Sequence, residues 1–119
     1  MKRVAMAIAG SLVLVICSIG FTAAKDMTYS GEIMDSQCAK MGSHETMMKK
    51  EGIATEKKCT LGCIKMGGKF VLFNLTTKTV YQLDDQQKPV QFAGDQVKVM
   101  GTLDKATNTI HVTNITGAS

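Results

Sequence analysis

Lys2 and Arg3 precede an apolar run from Val4 to Phe21, eased by Gly10, Ser11, Ser18 and Gly20. Thr22-Ala23-Ala24 then closes the run with small residues ahead of polar Lys25-Asp26. A positive stretch, an apolar stretch and a small-residue exit form the order of a secretory signal. Residues 1–24 are therefore expected to be a signal peptide, and the mature protein to work in the periplasm or outside the cell. The run is about long enough to cross a bilayer if tilted, so a retained anchor is the competing reading; the small-residue exit favours cleavage and no stable span afterwards. Bulky Ile16 stands where a lipid-modification site before Cys17 needs a small residue, so lipidation is set aside. From Lys25 to Ser119 about 95 residues remain, which supports one domain with one modest core.

Lys2 and Arg3 supply half of the formal net charge of +4. The mature chain has no arginine, and its lysines are interspersed with acids. A nucleic-acid partner is not expected, since no basic stripe and no arginine fork is available. Tyr29, Phe70, Phe73, Tyr81 and Phe92 are its aromatic residues, too few to fill a core and also build a stacking platform. No nucleotide-binding loop, nucleophile elbow or zinc-protease helix is present.

Three stretches follow one another. Thr28 to Asp35 reads as a strand, with Gly31 marking a bulge or a sharp coil. A helical insert is expected over about 39–68. Its first helix is capped by Ser43 and stops at Gly52; its second is capped by Thr55 and stops at Gly67-Gly68. Cys59, Gly62, Cys63 and Met66 repeat as one stripe of that second helix. Gly62 costs about 1 kcal/mol against alanine there, which suggests a close neighbour. The remainder is strand-rich: Lys69–Phe73 and Thr79–Leu83 about a polar turn, a connector over Gln86–Ala93, and a final hairpin with its loop across Asp104–Thr109. The expected fold is mainly β, a small five-stranded OB-like barrel with a helical insert between strands 1 and 2.

Cys38, Cys59 and Cys63 are an odd number of thiols for an oxidising compartment. One reading is a metal site of Cys38, His44, Cys59 and Cys63. Cys59 and Cys63 share a helix face. Lys57, Lys58 and the helix start are expected to lower the Cys59 pKa, and the start of the first helix to keep His44 neutral. Thiolates with imidazole suit zinc or copper(I), and thioethers from Met41, Met47, Met48 or Met66 favour copper. A second reading is one structural disulfide with a spare thiol. A third is a redox pair using Cys59 and Cys63, although the spacing is not that of thioredoxin-like motifs. The methionines also suit a plain packing role. Asp35 is assigned to capping the loop near Cys38, Asp84-Asp85 to turn chemistry, and His111 to a water-facing strand position. The function expected is a non-enzymatic binding domain. A thiol-based redox protein or a purely structural interaction module is the alternative, with a metal ion or a protein as partner.

The hairpin Val97–Asp104 and Ile110–Ile115 resembles the last hairpin of small exported bacterial OB-fold domains. The mature chain is also similar to a group of exported bacterial proteins of unknown function. In that group a segment like Gly31–Cys38 is followed by a histidine, a Cys-x-x-x-Cys pair and a strand like Lys69–Leu72. The resemblance implies a fold and a location but no activity. The group often has glycine after the first cysteine, where this chain has Ala39. An ordinary OB-fold carries its helix between strands three and four, whereas the insert here follows strand one.

Overall fold

A computed structural model describes residues 25–118, so the expected signal peptide lies outside the described residues. The fold is mainly β. Its strands are β1 (Met27–Asp35), β2 (Phe70–Asn74), β3 (Thr79–Leu83), β4 (Gln96–Asp104) and β5 (Thr109–Gly117). Three short helices intervene between β1 and β2: α1 (Ser36–Met41), α2 (Glu45–Glu51) and α3 (Glu56–Lys65). No described helix is long and apolar enough to cross a membrane.

Hydrogen bonding runs round a ring, β1-β2-β3-β5-β4 and back to β1. Among the described strands only the β3–β5 pairing is parallel, and it joins Gln82 and Leu83 to Thr109 and Ile110. β1 serves two neighbours in turn: Met27–Glu32 pair with β4, and Glu32–Asp35 pair with β2. Gly31 lies at this changeover, where an added Cβ would meet the Phe73 carbonyl oxygen at 2.5 Å. Its part is thus the sharp coil rather than a bulge. The irregularity falls instead between Met100 and Gly101 on β4.

Strand alternation builds two cores from one sheet. Ile33, Phe70, Leu72, Leu83, Val97, Val99, Ile110 and Ile115 fill the inside. Met34, Val71 and Phe73 point the other way and pack under the helices with Cys38, Ala39 and Cys59. This explains why Phe70–Phe73 is apolar without interruption: both of its faces are covered.

The two polar turns use the same chemistry. Asn74 Oδ1 accepts from the Thr76 and Thr77 amides, and Asp104 Oδ1 from the Ala106 amide. Each turn closes on a residue in the left-handed region, Lys78 and Asn108. Lys88–Phe92, within the expected connector, forms a 3₁₀ turn. Asp85 starts it, accepting from the Gln87 and Lys88 amides.

Asp84 does more than turn chemistry. Its carboxylate accepts from the Val112 amide at 2.8 Å and lies 3.1 Å from exposed His111 Nδ1, clasping β3 to β5 at the parallel closure. The Val112 hydrogen bond holds its pKa below the ordinary carboxylate value, with His111 adding to the effect. A depressed carboxyl contributes stability above its unfolded pKa of 3.8 and loses it as pH falls through the lower folded value. The site is solvent-screened, so the contribution is modest. Asp84→Ala is expected to cost about 1 kcal/mol at neutral pH. Urea unfolding of both proteins at pH 7 and near pH 3 checks this; the gap should shrink at the acid end.

Candidate metal centre

The helical insert is cut into three pieces by its own capping residues. Asp35 ends β1 and caps α1, its Oδ2 accepting from the Gln37 and Cys38 amides at 3.1 and 3.0 Å. Gly42 and Gly52, both at positive φ, end α1 and α2. Thr55 caps α3 by accepting from the Lys58 amide. Ser43 does not cap α2: His44 occupies that position, makes no capping bond, and turns its ring into the protein.

These turns bring Cys38 on α1 against Cys59 and Cys63 on α3, over the outer face of β1 and β2. All three are buried free thiols. Cys38 Sγ and Cys59 Sγ lie 4.0 Å apart, and the three sulfurs are all within 4.8 Å of one another. Sulfurs around a tetrahedral zinc at about 2.3 Å sit roughly 3.8 Å apart, so small rotations suffice for a common ion. A second group shares Cys38: ligand atoms of Asp35, Cys38 and His44 also lie within 4.8 Å of one another. The expected Cys38, His44, Cys59 and Cys63 set is therefore two overlapping groups hinged on Cys38, with His44 beside Asp35.

Among the described residues, the buried side-chain polar atoms without a hydrogen-bond partner include Asp35 Oδ1, His44 Nδ1 and Thr60 Oγ1, while His44 Nε2 has only the Glu32 carboxylate, at 3.4 Å. Orphaned buried polar atoms cost about 1–3 kcal/mol each. Asp35 and His44 stand together against the thiols, so this cost is concentrated at one place. The residues present fit a soft cation: three thiols, one spare carboxylate oxygen and one imidazole.

The electrostatics differ from expectation at two positions. Burial raises the Cys59 pKa against the lowering effect of hydrogen bonding with Cys38 and Cys63, the reverse of the lowering expected from the helix start and nearby lysines. Burial also pushes Cys63 up to about 11 and Cys38 higher still, and the Asp35 carboxylate adds to both. At His44, burial opposes protonation, but the Glu32 carboxylate, with Nε2 3.4 Å from its Oε1, overrides it and raises the pKa. His44 is thus held toward its charged form rather than kept neutral. Glu32 is itself buried on β1. Sequence reasoning missed it, although a lone acid before the apolar Ile33-Met34 of a strand was a visible signal.

Gly62 also departs from expectation. A Cβ there would meet nothing within 4 Å, so no close neighbour requires the glycine. The methionines divide: Met47 and Met48 are half-buried and pack on the outer core, while Met41 and Met66 are exposed.

Residues 62–118 match a family whose description reads protein of unknown function (DUF5818). The chain is thus similar there to a small domain with no assigned activity. The matched stretch includes Cys63 and strands β2–β5, and stops short of Cys38, His44 and Cys59. No curated protein and no solved structure matches the chain.

Proposed function

We propose that this chain is an exported, non-enzymatic binding domain, periplasmic or secreted, in which an OB-like barrel carries a helical insert that holds one soft metal ion, zinc or copper(I). The observation that carries the reading is the convergence of three buried free thiols beside a buried carboxylate oxygen with no partner. Cys38, Cys59 and Cys63 supply the sulfurs, and the further donor is Asp35, or His44 once it gives up the proton that Glu32 favours. The OB-like reading is supported by the ring order, by the single parallel closure between β3 and β5, and by the 3₁₀ turn between β3 and β4. A thiol enzyme needs an accessible, acidic cysteine; the raised pKa values and burial of all three argue against it.

Intact-mass spectrometry of the protein from the cell envelope tests the reading. The expected result is a mature chain lacking residues 1–24, one metal ion heavier under native than denaturing conditions, with three alkylatable thiols after unfolding. A metal-free chain two hydrogens light, with one alkylatable thiol, would replace the metal by a disulfide such as Cys38–Cys59.

A further inference from the structure

A cavity of about 280 Å³ opens directly onto Cys59 and Cys63, with Met47, Ile53, Gly62 and Met66 among its lining residues. Gly62 stands mid-helix between the two cysteines. Its backbone φ is not positive, and a side chain there would meet nothing. Neither backbone conformation nor packing accounts for it, and alanine would improve the helix by about 1 kcal/mol. What the missing side chain does leave is open space in the wall of a cavity that buried Cys59 and Cys63 also line. Met66 at the end of α3 is 87 % exposed, an unusual position for an apolar thioether whose ordinary use is core filling. Half-buried Met47 lines the same cavity from α2.

We propose that the cavity at Gly62 is the port through which copper(I) reaches the thiols, with Met66 and Met47 as its capture ligands. This rests on the metal reading above and narrows it to one ion. Thioether sulfur is soft, holds copper(I), and has little use for zinc. Passage inward is ligand exchange: the copper–thioether bonds break, copper–thiolate bonds form, and each thiol engaged releases one proton to water. The copper stays in its +1 state throughout, so no electrons are exchanged.

The test measures loading rates of the reduced mature protein, anaerobically, with copper(I) supplied as its acetonitrile complex and, separately, with Zn²⁺. Gly62→Leu fills the port with a good helix former; Gly62→Ala narrows it by one methyl group. Gly62→Leu is expected to slow copper(I) loading roughly tenfold or more, as steric gating of an encounter, with the final stoichiometry unchanged. Gly62→Ala should load at a rate between those of wild type and Gly62→Leu. Met66→Leu should slow copper(I) but not Zn²⁺. The port is overturned if Gly62→Leu loads as fast as wild type, and the capture role if Met66→Leu slows both ions alike. A wild-type protein that takes Zn²⁺ but no copper(I) ends this inference while the metal site stands. One that takes neither ion ends both.

Discussion

Cys38→Ser will take metal stoichiometry from one ion per molecule to none, and will abolish the rise in melting temperature that zinc or copper(I) gives the reduced wild-type chain. Cys38 is the hinge of the site, being the one residue common to the thiol group and to the Asp35–His44 group. Its loss leaves each group a donor short. An ion that binds only the native state stabilises it by about 2.7 kcal/mol at a free concentration a hundred times the dissociation constant. For a domain of this size that is a shift of roughly ten degrees or more. Cys38 also packs in the outer core with Met34, Val71 and Phe73, so the metal-free variant should melt below metal-free wild type. A buried serine hydroxyl without a partner costs about 1–3 kcal/mol. The two effects separate in thermal melts with and without metal. A variant that merely melts lower, yet still responds fully to the ion, would place the binding site elsewhere. If wild type holds a Cys38–Cys59 disulfide instead, its melting temperature will respond to reductant and not to metal.

The β strands were legible because their signals are local. Alternation over Val97–Leu103, the paired polar turns and the apolar Phe70–Phe73 run all state their own structure. A barrel was expected, but which strands close the ring was not legible, because β3 and β5 meet in parallel through contacts no adjacent residues announce, helped by Asp84 reaching Val112. α1 was missed for a related reason: six residues are too few to show a period, and only the Asp35 cap marks its start. At the site, Cys59 and Cys63 were legible as a pair because a helix puts i and i+4 on one face. The arrival of Cys38 depends on α1 folding back against α3. The His44 environment could not be read at all from its place at a helix start. Its pKa is raised against burial chiefly by Glu32, twelve positions earlier on a strand, which becomes its neighbour only when the insert closes over the sheet.

Asp35 is the residue whose second role the sequence concealed, and two substitutions will separate its roles. Its Oδ2 caps α1 while its Oδ1, fully buried, has no partner. Asn keeps a carbonyl oxygen for the cap but puts an NH₂ group, which cannot ligate, in place of the second oxygen. Asp35→Asn should therefore fold with less than about 1 kcal/mol lost in its metal-free form, while metal affinity falls roughly 10- to 100-fold, the usual effect of losing a supporting or ligating group. Asp35→Ala should lose affinity similarly and also about 1 kcal/mol of helix capping. The same carboxylate helps to raise the Cys63 pKa to about 11. Removing its charge should bring that thiol down, so thiolate forms at lower pH and metal-free Cys63 alkylates faster at any fixed pH below its pKa. Metal binding and thiol reactivity must then move in opposite directions in Asp35→Asn. General loosening of the insert would speed alkylation but would also lower the metal-free melting temperature. Metal competition titrations, alkylation rates against pH and metal-free melts on the one variant decide the matter. Wild-type affinity in Asp35→Asn would leave the carboxylate as a cap alone and hand the further donor position to His44.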